Sequence, residues 1–297
     1  MRDYNGQRIP LPACSERSVS YVMKSLDIRT APLRTTRAGD ITLAFRVLGS
    51  GDPVILINGF ASAMDTWNPP VLAALAQRYQ VVVFDNRGTG YSGSSEKEYS
   101  IPLFAEDTVR LMDVLEISSA DLIGHSMGAM IAQEIVLGHP DRVNRLVLVS
   151  GDCGGRHAVR MSREVWETLT DKRGNLQEQA ERMFSILFPP QWLRENDPWA
   201  ACPAVYETTP EENTARQRET LWSWDGTYDR LPGFASPTQV VTGTDDVIIP
   251  PENSVLLARR IPGARLVQFP DGGHGLMYQF PDQFSDVVLS FLAGKPL

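Results

Sequence analysis

Residues 124–128 read Gly-His-Ser-Met-Gly, a pentapeptide that places one serine between two glycines. An apolar run, ADLIG, precedes Ser126, and a helical pattern follows it. A serine on a tight turn between a strand and a helix is pushed out of the sheet, with its hydroxyl accessible. Gly124 and Gly128 fit such a turn, because a Cβ at either position would crowd the backbone as it doubles back. The alternative interpretation is a glycine-rich loop with a solvated serine.

A base must take the proton of a serine hydroxyl before the hydroxyl becomes a good nucleophile. The chain has four histidines, and His274 lies among the glycines of Asp-Gly-Gly-His-Gly, just after the last apolar run. A close-packed loop of this kind can bring an imidazole over the sheet edge, so His274 is the predicted base. His125 neighbours the nucleophile and is expected to point away from it. His139 fits a helix end, and His157 has no distinctive surroundings.

An acid that orients the histidine is expected at the end of another strand. The apolar run at 238–243 leads directly into two adjacent aspartates. Because neighbouring side chains point in different directions, one of the two reaches His274; we predict Asp246 as the acid and Asp245 as part of the turn. Asp152, which follows the run at 145–150, is a third candidate. The resulting chain order, Ser then Asp then His, differs from the orders of the serine proteases.

Hydrogen-bond donors held in advance are needed for the negative oxygen that forms when an acyl carbon is attacked. The backbone N–H of Met127 is one predicted donor, because it begins the helix after Ser126, where the helix dipole favours negative charge. The N–H of Phe60 is the second. It follows Asn58 and Gly59 at the end of the run PVILI, and Gly59 lets the backbone approach closely.

Residues 85–92, Asp-Asn-Arg-Gly-Thr-Gly-Tyr-Ser, also follow an apolar run. A Gly-x-Gly pair can belong to a phosphate-binding loop, but here no Lys-Ser/Thr follows and the G-x-G-x-x-G spacing is missing. We therefore interpret the segment as a structural turn held by Asp85 and Arg87 beside the site.

Short apolar runs alternate with helical patterns over most of the chain, which predicts right-handed βαβ units and a mostly parallel sheet. The predicted strands are 53–58, 80–85, 120–124, 145–150, 238–243 and 264–269. The predicted helices between them are 69–78, 103–116, 127–138, 252–261 and 282–293. A hairpin at 28–36 and 41–47, with its turn at 38–40, is expected to precede them.

Residues 152–235 interrupt this alternation, since they contain no convincing strand and five of the six tryptophans. Their helical patterns, at 162–170, 176–187 and 210–222, predict a helical insertion over the carboxyl edge of the sheet. Pockets are mostly apolar, so Leu187, Phe188 and Trp192 are expected to offer an apolar wall. The full set of predicted substrate contacts is Asn58, Gly59, His125, Leu187 and Trp192.

Composition excludes several classes of protein. The chain has 297 residues, 42 % hydrophobic and 22 % charged residues, and a net charge of −8. This charge argues against nucleic acid as a partner, and no apolar stretch approaches a membrane span. Cys14, Cys153 and Cys202 are too few and too scattered for a disulfide framework or a metal site. Without a visible signal peptide, a cytoplasmic location is expected.

Five motifs, taken in chain order, resemble those of the α/β-hydrolase fold family. They are NGF at 58–60, DNRGTGYS at 85–92, GHSMG at 124–128, GTDDVIIP at 243–250 and GGHG at 272–275. The resemblance covers about 35–151 and 236–297. It implies an eight-stranded, mostly parallel sheet flanked by helices, with a helical cap between the sixth and seventh strands. The predicted organisation is therefore an irregular extension at 1–27, a core at 28–151 and 236–297, and a cap at 152–235.

The resemblance also implies Ser126 as nucleophile, Asp246 as acid, His274 as base, and the Phe60 and Met127 amides as the oxyanion hole. One departure is Asn58, because the family usually has His-Gly where this chain has Asn-Gly. The donor there is a backbone group, so catalysis need not suffer. The serine at 126 separates the chain from the family's dehalogenases and epoxide hydrolases, which have an aspartate at this position.

The predicted function is the hydrolysis of carboxylic esters through an acyl-enzyme intermediate, on a moderately hydrophobic small molecule and without a metal or organic cofactor. Lactonases and hydrolases of carbon–carbon bonds in ring-cleavage products use the same triad, so both stay open as alternatives. A non-catalytic ligand-binding member of the fold is the third alternative, and the intact triad argues against it.

Overall fold

The computed structural model describes residues 27–294, and within them eight strands form one sheet in the order β1-β2-β4-β3-β5-β6-β7-β8. The pairs β1–β2 and β2–β4 are antiparallel, whereas every other neighbouring pair is parallel. The strands are β1 Arg34–Ala38, β2 Ile41–Gly49, β3 Asp52–Ile57, β4 Tyr79–Phe84, β5 Ala120–His125, β6 Val143–Val149, β7 Thr238–Gly243 and β8 Arg265–Phe269. The predicted eight-stranded, mostly parallel sheet is confirmed. The predicted irregular extension at 1–27 lies, apart from Asp27, outside the described residues.

Eleven α-helices lie within the described residues. They are α1 Pro69–Ala76, α2 Ile101–Val114, α3 Met127–Gly138, α4 Arg163–Thr170, α5 Leu176–Leu187, α6 Pro190–Glu195, α7 Pro198–Ala201, α8 Glu211–Ser223, α9 Glu252–Arg260, α10 Leu276–Gln279 and α11 Pro281–Leu292. Five of them, α4 to α8, follow β6 and precede β7, so residues 152–235 contain helices and no strand. We call residues 152–235 the helical insertion.

Two apolar layers cover the sheet. Side chains of α2, α3 and α9 pack against one face, and those of α1 and α11 pack against the other. The central strands are therefore buried on both sides, as β7 illustrates, because all six of its residues are buried. Continuous runs of apolar residues are typical of parallel strands in this position, which explains why the sequence reveals these strands so readily.

The hairpin before the parallel strands starts differently from the prediction. Residues 28–30 form a short 3-10 helix rather than a strand, and the first strand begins at Arg34. The Asp27 carboxylate accepts a hydrogen bond from the Arg29 N–H at 2.9 Å and caps this turn. The turn itself lies where it was predicted, with Gly39 at a φ of +63° between β1 and β2.

The carboxyl ends of the parallel strands meet at one edge of the sheet, where ligands bind in open α/β folds. The loop after β3 carries Asn58 to Phe60, and the turn after β5 carries Ser126. Asp246 follows β7, and His274 follows β8. Four elements that are far apart in the chain thus deliver the predicted site residues to one edge.

Candidate active site

Ser126 occupies a strained turn between β5 and α3. Its φ of 56° and ψ of −122° lie in a region that non-glycine residues rarely adopt, and such a residue costs about 1–3 kcal/mol. The turn is held on both sides, because the Ser126 N–H donates to the Val149 carbonyl at 2.9 Å and the Ala129 N–H donates to the Ser126 carbonyl at 2.9 Å. The side chain is half-buried. This is the geometry that pushes a serine out of the end of a strand.

Two close backbone approaches explain the glycines on either side of Ser126. A Cβ built on Gly124 would lie 2.3 Å from the Gly128 carbonyl oxygen, and one built on Gly128 would lie 2.0 Å from the Ile57 carbonyl oxygen. Non-bonded carbon and oxygen atoms do not approach this closely, so a side chain at either position would force the backbone segments apart. The crowding predicted from the sequence is confirmed.

His274 and Asp246 form a buried hydrogen-bonded pair, with 2.9 Å between His274 Nδ1 and Asp246 Oδ2. Their exposed fractions are 4 % and 2 %. The other carboxylate oxygen of Asp246 accepts hydrogen bonds from the Ile248 and Ile249 N–H groups, at 3.0 and 2.8 Å. The tautomer that carries its proton on Nδ1 can donate to Asp246, which leaves the Nε2 lone pair free to accept a proton.

The two alternative acids lie elsewhere. Asp245 is exposed, and its N–H donates to the Gly272 carbonyl at 2.8 Å, so it belongs to the turn that precedes the pair. Asp152 is buried, and its carboxylate accepts a hydrogen bond from the Gly154 N–H at 2.7 Å. Burial raises the pKa of Asp152. Of the three candidates, the structure brings Asp246 to His274.

His125 packs between the strained turn of Ser126 and the loop of His274. Its Nε2 lies 3.3 Å from the His274 carbonyl oxygen, and the two imidazole centroids are 4.8 Å apart. Burial, followed by the neighbouring His274, lowers the pKa of His125 to about 3, so its ring is neutral at neutral pH. A neutral ring can donate to the His274 carbonyl without placing a second cation beside the base. Trp67, which is buried, meets His125 edge-on at 6.4 Å between centroids.

The loop after β3 lies against Ser126. A Cβ built on Gly59 would be 3.0 Å from Ser126 Cβ and 3.5 Å from Ser126 Oγ. The Asn58 side chain is buried and turns into this loop, where its amide donates to the Ala63 carbonyl at 2.7 Å. Phe60 follows at the surface of the site and is half-buried. Across from it, Met127 is the first residue of α3, so its N–H has no partner within the helix.

The helical insertion covers the loop of His274. The Gly275 N–H, directly after His274, donates to the Leu187 carbonyl at 2.9 Å. Phe188, which follows Leu187, is buried and stacks on Trp192 with 4.4 Å between ring centroids. Phe188 also meets the ring of Tyr278 edge-on at 6.3 Å. Leu187 thus lies beside the His274 loop, next to an aromatic cluster of Phe188, Trp192 and Tyr278.

The segment at 85–92 supports the same edge of the sheet. Asp85 accepts hydrogen bonds from the Met64 N–H at 2.6 Å and the Tyr91 N–H at 2.9 Å. Arg87 is completely buried and binds Asp107 through two hydrogen bonds of 2.7 Å, while Asp40 accepts two more at 3.0 Å. Buried charges require such pairing, so the segment is built as a structural turn.

Sequence reasoning missed Gln217 of α8, which is fully buried and bound to two loops beside the site. A glutamine in a polar helix gives no sequence signal of this kind.

Between residues 27 and 294, no cluster of three or more His, Cys, Asp or Glu side chains is arranged to hold a metal ion. In the same range, no helix has both the length and the apolar character required to cross a membrane.

The strained serine at the end of a parallel strand and the buried Asp–His pair at the same edge define a class of enzyme, the α/β hydrolases. The chain belongs to this family: the sequence model of the alpha/beta hydrolase fold matches residues 52–281. The chain is 32 % identical over 259 residues to a putative carbamate hydrolase, RutD, of Azorhizobium caulinodans, over 85 % of this chain and 96 % of the relative.

Two solved structures extend the comparison. The enol-lactonase from Burkholderia xenovorans is 25 % identical with a TM-score of 0.75, over 88 % of this chain and 100 % of that one. A thermophilic esterase from Thermogutta terrifontis is 25 % identical with a TM-score of 0.74, over 89 % and 99 % of the two chains. The chain is therefore a hydrolase of the α/β fold, similar to proteins named as a putative carbamate hydrolase, an enol-lactonase and an esterase.

Proposed function

We propose that the protein is a serine hydrolase that cleaves carboxylic esters through an acyl-enzyme intermediate. The observation that carries the proposal is the Asp246–His274 pair, at 2.9 Å, together with the strained turn of Ser126, whose neighbour His125 lies 4.8 Å from the His274 ring. In this scheme, Ser126 Oγ attacks the acyl carbon while His274 Nε2 accepts its proton. Asp246 holds the imidazole in the required tautomer and stabilises the cation that forms.

The negative oxygen of the tetrahedral intermediate would be bound by the N–H groups of Phe60 and Met127. The contact of the Gly59 backbone with Ser126 supports this arrangement, as does the position of Met127 at the start of α3. His274 then donates its proton to the leaving alcohol. In the second half of the reaction, water activated by His274 attacks the acyl-enzyme and releases the acid.

The substrate is proposed to be a moderately hydrophobic small molecule, because the aromatic cluster of Phe188, Trp192 and Tyr278 lies beside the His274 loop. Of the predicted substrate contacts, Gly59, His125, Leu187 and Trp192 are retained in this proposal, whereas Asn58 has an indirect part. The Asn58 amide, which is bound to Ala63, would act on the shape of the loop rather than on the substrate itself.

A second candidate is the hydrolysis of a lactone or a carbamate. This alternative is favoured by the similarity to the enol-lactonase and to the putative carbamate hydrolase. Both reactions attack a carbonyl carbon and need the same nucleophile, base and oxyanion donors. A substrate panel of p-nitrophenyl esters, lactones and carbamates separates the two candidates by the ratio of kcat/KM values.

The function is tested with Ser126→Ala on a p-nitrophenyl ester. Removing a serine nucleophile lowers kcat by as much as about 10⁶-fold in serine hydrolases, so we expect turnover to fall to background. Ser118→Ala is the matched control, because Ser118 is exposed and lies before β5. Turnover of Ser126→Ala at the wild-type rate would contradict the proposal.

A further inference from the structure

One face of helix α8 in the helical insertion is polar and yet buried. Asn213, Gln217 and Thr220 have exposed fractions of 8 %, 0 % and 1 %. Spacings of four and three residues place them on the same side of the helix. Buried polar side chains are stable only when they are hydrogen-bonded, so this face must meet polar groups of the core.

Gln217 connects two core loops at once. Its Oε1 accepts the Ala61 N–H at 2.8 Å, and its Nε2 donates to Thr89 Oγ1 at 2.9 Å and to the Arg87 carbonyl at 3.4 Å. The partners themselves fix the orientation of the amide. The Ala61 N–H can only donate and the Arg87 carbonyl can only accept, so Oε1 must face the first and Nε2 the second.

Ala61 lies in the segment from Asn58 to Ala63, which we call the oxyanion loop. Its φ is +52°, a left-handed conformation that is strained for a residue with a Cβ. Such a conformation persists when its surroundings fix it. Gln217 fixes the peptide bond that joins Phe60 to Ala61, and the Asn58 amide holds the other end of the loop at Ala63.

We infer that Gln217 is a positioning residue for catalysis, by which the helical insertion holds the oxyanion loop in its active conformation. The inference rests on the proposed acyl transfer at Ser126, since it assigns the Phe60 N–H as an oxyanion donor. The donor itself comes from the core, whereas its alignment depends on the insertion. Loss of this contact should weaken binding of the transition state more than binding of the substrate.

Gln217→Met tests the inference, because methionine has a similar length and removes all three hydrogen bonds. Misalignment of a catalytic group by about 1 Å can cost 10²-fold, so we expect kcat to fall about 10- to 100-fold. The rate of Ser126 labelling by a fluorophosphonate should fall by a similar factor, because that reaction also forms a negative oxygen. KM for a small ester should change by less than about threefold, as expected when a contact acts mainly in the transition state.

Asn213→Leu is the matched control, one helical turn away on the same buried face. Asn213 donates to the Gly88 carbonyl at 3.0 Å and accepts from the Tyr99 hydroxyl at 3.1 Å, away from the oxyanion loop. The Asn213→Leu variant should have a lower Tm, but its rate of Ser126 labelling should stay close to that of the wild type.

If Gln217→Met does not fold, Gln217→Asn replaces it, because its side chain stays polar but is one methylene too short to reach both loops. A folded Gln217→Met or Gln217→Asn that is labelled at the wild-type rate would overturn the inference. So would an Asn213→Leu variant that slows as much as the Gln217 variants. Failure of the proposed function is distinct, because the wild-type protein itself would then hydrolyse no ester, whatever the variants do.

Discussion

The sheet core and the helical insertion are built on different principles. In the core, strands such as β3 and β7 bury apolar side chains on both faces. In the insertion, helices α4, α6 and α7 contain no fully buried residue. Several contacts between the two regions are polar, for example the two hydrogen bonds from Arg230 to Glu134 at 2.7 and 2.6 Å.

This difference separates two tasks. The core fixes Ser126, Asp246 and His274 by dense apolar packing beneath the loops that carry them. The insertion adds aromatic side chains and the Gln217 contact from above, through fewer buried apolar groups. We therefore expect changes in the core to abolish chemistry or folding, and changes in the insertion to alter rate and preference more gently.

Asp246→Asn should have the largest effect. Asparagine has no charge to stabilise the imidazolium. The Ile248 and Ile249 N–H groups would keep its oxygen, so its NH2 group would face His274 Nδ1 and favour the wrong tautomer. A corresponding change in a serine protease lowers kcat by about 10⁴-fold. We expect a loss of this size, equivalent to about 5 kcal/mol. Asp245→Asn is the matched control, since that neighbouring carboxylate is exposed. The two variants are compared by kcat on one p-nitrophenyl ester, and equal losses would contradict the assignment.

Gly128→Ala should have the next largest effect, on the stability of the fold rather than on the chemistry. The added Cβ would lie 2.0 Å from the Ile57 carbonyl oxygen, so α3 must move away from β3. Overpacking of this kind costs about 1–3 kcal/mol or more. Gly138→Ala, at the other end of the same helix, meets no atom within 4 Å and should be neutral or stabilising by up to about 1 kcal/mol. Urea unfolding measures both, and similar free energies of unfolding would refute the close approach.

The strands illustrate how much of the core could be predicted from sequence. The six runs of apolar residues match β3 to β8 within two residues at either end, because both faces of these strands are buried. The predicted start of the hairpin was wrong, because the Asp27 carboxylate caps a short helical turn that the pattern of hydrophobic residues does not reveal. Glycines at 124 and 128 were correctly expected to mark a crowded turn.

The insertion could be predicted only in part. Helices α4, α5 and α8 agree with their patterns to within one residue, whereas α6 and α7 are missing from the prediction. Helices of six and four residues are too short to show a hydrophobic period. The contact of Gln217 with Ala61 joins residues 156 positions apart, and no local pattern records it.

Asp121 should give an effect of similar size on stability, and one that depends on pH. This β5 residue is 7 % exposed, and burial raises its pKa to about 6. A carboxyl whose pKa is higher in the folded protein opposes folding as it ionises, so stability falls as pH rises from about 4 to about 6. The shift corresponds to roughly 3 kcal/mol. We expect the wild-type protein to lose about this much relative to Asp121→Asn between pH 4 and pH 7.

In the insertion, Asp171 should change stability with pH in the opposite direction to Asp121. Hydrogen bonds from Arg173 lower the pKa of Asp171, so this carboxylate stabilises the fold above pH 4 and loses that contribution in acid. Asp171→Asn should therefore be slightly less stable than the wild type at pH 7 and equal to it in acid. Denaturation curves at several pH values measure the free energy of unfolding of both variants. If the difference between wild type and Asp121→Asn did not change with pH, the expectation for Asp121 would be refuted.

Covalent capture of Ser126 tests the central claim most directly. The wild-type protein is incubated with a fluorophosphonate, and its intact mass and proteolytic peptides are measured. The account predicts one phosphonyl adduct, on the peptide that contains Ser126, with no adduct in Ser126→Ala and slow labelling in His274→Ala. An unmodified wild-type protein, or an adduct on a different residue, would contradict the assignment of Ser126 as an activated nucleophile.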